Sequence, residues 1–389
     1  MADKHRDPFI VFGAPEIRGE ELAEVEDVLR SGWLGTGPRV AQFETDFSKY
    51  KGVDAERVAA VNSCTAGLHV SMIAAGLGPG DEVLTTAMTF CATANAIIHA
   101  GATPVPVDID PVTQNIDIGL IKERITERTR AIVPVHFAGR PCDMDAIMAL
   151  AKEYDLTVIE DCAHAIETQW KGQAAGTFGE FGCFSFYVTK NITTGEGGMV
   201  IAKSEADIER IKILALHGMT KDAWHRFGDE GYKHYQVVEA GFKYNMMDLQ
   251  AALGIHQLRR IEDSWLRREQ VWNRYQKAFS GMPVVRPAEP EAGTRHAYHL
   301  YTIRIDHEGA GLARDDFILA MSRAGIGVGV HYLSLASHPH YQQRFGWRPG
   351  DYPVAQAVGE STVSLPLSSR LADTEVDRII ETVESVLGS

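Results

Sequence analysis

The sequence predicts an α/β protein: a large domain, residues 1–260, with a mainly parallel sheet covered by helices on both faces, and a smaller C-terminal α+β domain, residues 261–389. Three observations carry this. The first part of the chain alternates short apolar runs with stretches of helical periodicity. Those runs are apolar throughout instead of at every second residue, as expected where both faces of a parallel sheet are buried. At 389 residues the chain also exceeds the ~150 residues of one ordinary domain.

Taken in order, Glu16–Arg30 carries Leu22, Val25, Val28 and Leu29 at helical spacing. Val58–Val61 reads as a buried strand feeding a helix over Thr65–Ala75. Val83–Thr86 is a strand, Ala92–His99 a helix and Pro104–Asp108 a strand. Ala131–His136 is the next strand, with a helix over Met144–Tyr154 behind it. Thr157–Glu160 runs into Asp161, and Cys183–Tyr187 and Gly198–Ala202 complete the strand set. A long helical stretch covers Met247–Phe279, and Pro283–Thr294, rich in Pro, Glu and Gly, reads as a loop. The C-terminal part offers strands at His299–Ile305 and Gly327–His331 and helices at Ala313–Arg323 and Ala372–Leu387.

Composition narrows the function classes. The chain is 45% hydrophobic and 23% charged, and its net charge of −14 comes from 38 basic against 52 acidic residues. That argues against general nucleic-acid binding, which needs a basic face. A few backbone N–H groups and one local cation still suffice for a small anion. The charged start, Met1-Ala-Asp-Lys-His-Arg-Asp-Pro8, has no apolar run behind it, and no stretch approaches the ~20 apolar residues of a membrane span. Cys64, Cys91, Cys142, Cys162 and Cys183 are scattered without a C-x-x-C, which reads as reduced thiols in a cytoplasmic protein. His296-x-x-His299 and His338-x-His340 sit in no zinc pattern, so no metal site is expected. Gly325-x-Gly327-x-Gly329 leads into His331-Tyr332 and not into a helix, so it is not read as a dinucleotide loop.

The candidate chemistry lies after strand ends, where open sheets bind ligands. Asn62-Ser-Cys-Thr-Ala-Gly67 joins a strand to a helix, and its N–H groups and the helix dipole favour an anion. Taken alone, a plain N-cap by Ser63 or Thr65 is the better reading of this motif. Asp161 ends a buried strand, where a carboxylate is costly unless it meets a cation such as a protonated pyridine nitrogen, or a salt bridge. Lys190 stands between the aromatic strand Phe184-Ser-Phe-Tyr187 and a glycine-rich turn. Partial desolvation there lowers the amine pKa and makes it a Schiff-base nucleophile, whereas a lone lysine is ordinarily just surface. Phe90 could stack on a planar ring or simply belong to the core. Together these supply a phosphate cradle, ring stack, pyridinium partner and lysine, the parts a pyridoxal cofactor needs.

Several ordered motifs reinforce this: Ser31-Gly-Trp-Leu-Gly-Thr-Gly37, Asn62-Ser-Cys-Thr-Ala-Gly67, Gly80-Asp-Glu-Val83, Glu160-Asp-Cys-Ala-His164 and Phe184-Ser-Phe186. They continue with Lys190-Asn191 and Gly195-Glu-Gly-Gly198, then Gly241-Phe-Lys-Tyr-Asn245 and His331-Tyr332. Through them the chain resembles, along nearly its whole length, the DegT/StrS family of sugar aminotransferases, which have the type I aspartate-aminotransferase fold and use pyridoxal 5'-phosphate (PLP). The resemblance implies Lys190 as the cofactor's covalent anchor and Asp161 as the partner of its ring nitrogen. It implies Phe90 at the ring-stacking position and His164 beside the cofactor. Thr65, Ala66 and Ser185 would bind the phosphate, with Asn245 reaching it from the other subunit of a homodimer. Relatives with histidine at the lysine position act as dehydratases; the lysine here implies transamination. Glutamate is the expected donor, leaving as 2-oxoglutarate, and a nucleotide-diphosphate 4-keto sugar the expected acceptor. A 3-keto sugar, a cyclitol ketone or a non-catalytic PLP-binding regulator are the competing readings. Lys221, Trp224, His225, Arg226, Tyr232, Lys233 and His234, in the segment 217–235, are read either as a substrate cover or as a solvated loop or dimer contact.

Overall fold

The computed structural model describes residues 8–220 and 235–388. Seven strands form the main sheet: β1 Val58–Val61, β2 Glu82–Thr86, β3 Thr103–Val107, β4 Thr129–Val133, β5 Thr157–Asp161, β6 Phe181–Ser185 and β7 Gly198–Ala202. Their order is β1-β7-β6-β5-β4-β2-β3. β7 pairs antiparallel with both neighbours and every other adjacent pair is parallel. The helices Cys64–Ala74, Cys91–His99 and Met144–Tyr154 connect parallel strands.

Successive side chains of a strand point to opposite faces, and here both faces are apolar. Val61, Val83, Val133, Ile159, Cys183 and Val200 belong to one core with the helices Cys64–Ala74 and Glu205–Ala215. Their chain neighbours turn the other way. Ala60, Phe184 and Met199 join Phe43 and Phe47, while Leu84, Ile132 and Val158 join Ile147 and Leu150. Burying an aromatic such as Phe43 or Phe47, both fully inaccessible, stabilises by roughly 1.5–3 kcal/mol. This double burial explains why the strands read as unbroken apolar runs.

A helix over Pro38–Lys51 extends this covering layer and was not expected from the sequence. Its signals were present: proline at its first position and Gly52, at φ 69°, past its end. Its open N–H groups at Arg39 and Val40 are capped by the Asp248 carboxylate, at 3.1 and 3.0 Å. The long stretch expected over Met247–Phe279 is two helices, Asp248–Arg259 and Ile261–Ala278. The break falls at Arg260, whose backbone leaves the helical region (φ −105°, ψ 14°) while its side chain reaches the Glu16 carbonyl and Glu21.

The smaller C-terminal part has an antiparallel sheet of Val284–Val285, Tyr301–Ile305 and Thr362–Leu365. Helices Ile261–Ala278, Arg314–Arg323 and Asp373–Leu387 pack on it through Trp272, Phe317 and Ile379. Two expectations are corrected here. Val284–Val285, placed in a loop, pairs with Ile305 and Arg304. Gly327–His331 is not a strand: Gly329 alone bridges to Ser364, and Gly327 instead donates to the Ile10 carbonyl. Ile10 itself sits in this C-terminal core, so the division we propose at 260/261 returns the start of the chain to the smaller domain. Among the described residues no helix is long and apolar enough to cross a membrane.

Candidate active site

Because β1, β2, β5 and β6 run in the same direction, their carboxyl ends share one edge of the sheet. Thr65, Phe90, Asp161, His164, Ser185 and Lys190, each just beyond or at such an end, line one cavity of about 510 Å³. Residues up to 125 positions apart in sequence, Thr65 and Lys190, are therefore brought together by the strand order.

Asp161 closes β5 and is 4% exposed. Its Oδ2 accepts from the Thr93 hydroxyl at 2.8 Å and its Oδ1 from the Ala163 N–H at 3.1 Å. Burial pushes its pKa up, while these two donors and the charge of Lys190 oppose the rise. Among the described residues no cation lies within ion-pair distance of it. Lys190 follows a turn closed by its own N–H on the Tyr187 carbonyl, 2.9 Å. Burial pushes its ammonium pKa down to about 8, with Cys64 and Asp161 opposing. An amine near pH 8 is available as a nucleophile toward a carbonyl at ordinary pH.

The helix Cys64–Ala74 begins at the same cavity. Ser63 is its N-cap and accepts from the Ala66 N–H at 3.1 Å. Ala66 is thus engaged in the cap and does not line the cavity, whereas Ser63, Cys64 and Thr65 do. The first N–H groups of a helix lack intrahelical partners, so those of Cys64 and Thr65 form the open positive end. Gly198 permits this closeness: a Cβ there would stand 2.7 Å from the Cys64 nitrogen.

Aromatic rings close the other sides. Phe90 is 57% exposed and lies 6.0 Å from Tyr332, centroid to centroid. His164 Nδ1 accepts from the Ala138 N–H at 3.2 Å, so its Nε2 carries the hydrogen in the neutral ring and donates to the Tyr332 hydroxyl at 3.1 Å. Burial, and then Lys190 and two further histidines, hold His164 well below the usual imidazole range.

Asn245 is elsewhere. Its Nδ2 donates to Thr36 at 2.7 Å, and its buried Oδ1 has no partner among the described residues. It lines a neighbouring hollow with Asn62, Lys243 and Gln250, and Ser63 and Glu196 border both hollows. The charged and aromatic residues of the segment 217–235 singled out above, Lys221 to His234, lie outside the described residues.

Sequence reasoning gave no role to Thr93, Tyr332, Asn191 or His299. His299 stands in the sequence only as half of an H-x-x-H pair, and its place in the cavity depends on the bonds that tie Ala297 to the Gly139 carbonyl and His299 to the Ala138 carbonyl. A different histidine approaches a metal-like grouping: ligand atoms of His136, Glu160 and Cys162 lie within 4.8 Å of one another. There the Glu160 carboxylate accepts from the N–H groups of Gly176, Phe178 and Gly179 at 2.7, 2.8 and 3.0 Å. His136 Nδ1 accepts from the Cys142 N–H at 3.0 Å, and its Nε2 meets Glu160 at 3.1 Å. The lone pairs are spent on a buried clamp that ties down the turn before β6.

A mainly parallel sheet with one antiparallel strand, a lysine after its aromatic strand and a carboxylate at a strand tip define the class of PLP-dependent aminotransferases of the aspartate-aminotransferase type. The chain belongs to the DegT/DnrJ/EryC1/StrS aminotransferase family, which matches residues 15–384 and whose cofactor is PLP. It is 46% identical over 384 residues to the spore coat polysaccharide biosynthesis protein SpsC of Bacillus subtilis (strain 168), covering 98% of both chains. Among solved structures it matches the PLP form of Spr1654 from Streptococcus pneumoniae (TM-score 0.89, 35% identity, 98% of this chain and 99% of that one). It also matches PseC of Helicobacter pylori, an aminotransferase involved in the biosynthesis of pseudoaminic acid (TM-score 0.89, 28% identity, 98% and 100%).

Proposed function

We propose that the protein is a sugar aminotransferase that takes an amino group from glutamate, releases 2-oxoglutarate and delivers the amine to a nucleotide-diphosphate 4-keto sugar. The observation that carries this is the sharing of one cavity by a buried carboxylate, Asp161, without an ion-pair partner among the described residues, and a half-buried amine, Lys190, whose pKa is lowered to about 8. That pair fits PLP. A buried, uncompensated carboxylate suits a protonated ring nitrogen, and the open N–H groups of Cys64 and Thr65 with the Ser185 hydroxyl suit a phosphate. The relatives named for spore coat polysaccharide and pseudoaminic acid support a sugar as acceptor.

PLP, when bound, supplies a carbonyl for the donor amine and a ring that withdraws electrons from the carbon next to it. The chain's own groups do the rest. Lys190 anchors the cofactor through Nζ. Its neutral Nζ would take the proton from the donor α-carbon and, as ammonium, return one, acting first as base and then as acid. Asp161, oriented by Thr93 and the Ala163 N–H, holds a proton at the ring nitrogen. Phe90, 57% exposed in the cavity, would stack on the ring when it is bound, and His164, fixed by Ala138 and Tyr332, would lie beside it. Asn245, outside this chain's own cavity, completes the phosphate site of a partner subunit in a homodimer.

The half-reaction tests the reading. Glutamate added to the yellow holoprotein should convert the cofactor to its amine form with release of about one 2-oxoglutarate per site, and the keto sugar should restore it. No spectral change with any amino donor would overturn the assignment. Restoration by a cyclitol ketone alone would replace the acceptor.

A further inference from the structure

The cavity contains a histidine whose partners fix its protonation. His299 is 6% exposed and lines the cavity. Its Nδ1 lies 2.9 Å from the Asn191 Oδ1. The orientation of that amide is settled from its other end: Asn191 Nδ2 donates to Glu167 Oε2 at 2.7 Å and to the Ala297 carbonyl at 3.0 Å. Both are acceptors, so the nitrogen belongs there and the oxygen faces His299. An amide oxygen only accepts, so His299 Nδ1 carries hydrogen. Glu167 is held in turn by a buried ion pair with Arg268, whose Nε also donates to the Ala297 carbonyl at 3.4 Å.

The ring is also neutral. Burial holds its pKa well below the usual imidazole range, and the charges of Lys190, His331 and Arg268 act in the same direction. A neutral ring with hydrogen on Nδ1 has a bare lone pair on Nε2, for which the described residues offer no partner. Such a group accepts a hydrogen bond. It repels the lone pairs of a phosphate or carboxylate, so a hydroxyl is the ligand that suits it.

We propose that His299 is a tautomer-fixed acceptor for a hydroxyl hydrogen of the sugar substrate, and that Arg268, Glu167 and Asn191 form the chain that fixes it. The role rests on the aminotransferase reading above; the tautomer does not. Asn191 follows Lys190 directly, so the chain ties the anchoring turn, the segment around Ala297 and the helix Ile261–Ala278 to one ring orientation.

Two measurements test it. In the full-length protein labelled with ¹⁵N-histidine, with His299→Gln identifying the signal, the wild-type ring should show hydrogen on Nδ1 and a bare Nε2. Asn191→Ala should shift it toward the opposite tautomer. Hydrogen on Nε2 in the wild type, or no change in Asn191→Ala, would overturn the fixing chain whatever the enzyme does. In the holoenzyme, His299→Ala should raise the KM for a nucleotide 4-keto-6-deoxy sugar about tenfold, the fold-change expected for one hydrogen bond. The rate with glutamate should stay within about twofold. An unchanged KM, or equal losses in both half-reactions, would refute the acceptor role. Failure of the wild type to react with any donor would instead refute the aminotransferase reading, leaving the tautomer result intact.

Discussion

The Thr93 hydroxyl donates to Asp161 Oδ2 at 2.8 Å across 68 residues of sequence, and both side chains are buried. Thr93 lies in the helix Cys91–His99 that follows β2, and Asp161 ends β5. The bond opposes the upward push of burial on the carboxyl group. Thr93→Val keeps the shape and removes the donor, so the Asp161 pKa should rise further and its hold on a ring-nitrogen proton weaken. A hydrogen bond to a charged group is worth about 1.5–3 kcal/mol, so the glutamate half-reaction should slow roughly 10- to 100-fold. Stopped-flow spectra of the holoprotein check this, and a rate within twofold of wild type would show that Thr93 does not tune Asp161.

Lys190 carries the pH dependence. Its amine reacts only when unprotonated, and burial moves its pKa from the usual 10.5 to about 8. Capture of added pyridoxal phosphate by the cofactor-free protein should therefore accelerate as pH rises through about 8 and level off above it. The rate followed from pH 6.5 to 10 gives the midpoint. A curve still climbing toward 10.5 would mean that the amine is not desolvated, and residual capture in Lys190→Ala would identify a different lysine.

Much of this site was legible in the chain. Asp161 and Lys190 could be singled out because Asp161 ends a short strand and Lys190 follows an aromatic one. What escaped are contacts that depend on tertiary placement. Thr93 is an unremarkable threonine until β2 and β5 are set on the same edge, and His299 becomes part of the cavity only when the segment after residue 283 folds back over β5. The helix Pro38–Lys51 is a different case: Val40, Phe43 and Phe47 stand at helical spacing behind Pro38, so its signal lies in the chain itself. Gly327–His331 misled because its apolar pattern serves contact with Ile10 and Phe12 and not a ladder.

A second lysine is buried without a catalytic position. Lys51 Nζ donates to the Ile166 carbonyl at 3.1 Å and lies 4.6 Å from the centre of the Phe184 ring. Burial lowers its pKa to about 8. A lowered lysine pKa means the unfolded chain binds the proton more tightly, so the penalty is fully present below about pH 8 and relieved as pH rises from there toward 10.5. Relief over that interval is on the order of 3 kcal/mol. Lys51→Met should therefore unfold at a higher temperature than wild type at pH 7, and the gap should shrink by pH 9.5. A gap independent of pH, read from thermal midpoints at one scan rate, would contradict the buried charge.

Asn245 supplies the test of assembly. Its Nδ2 is held by Thr36 and it lines the hollow beside the Lys190 cavity, with Ser63 and Glu196 shared between the two. If it serves the phosphate of the opposite subunit, Lys190→Ala and Asn245→Ala chains should complement each other. In a mixed dimer the site containing intact Lys190 receives intact Asn245 from its partner, while the other site lacks both. Unfolding and refolding the two variants together should thus restore activity approaching a quarter of wild type, since half of random dimers are mixed and each has one good site. Were Asn245 to act on the cofactor of its own chain, no site in the mixture would hold both residues and the activity would stay at the level of the separate variants.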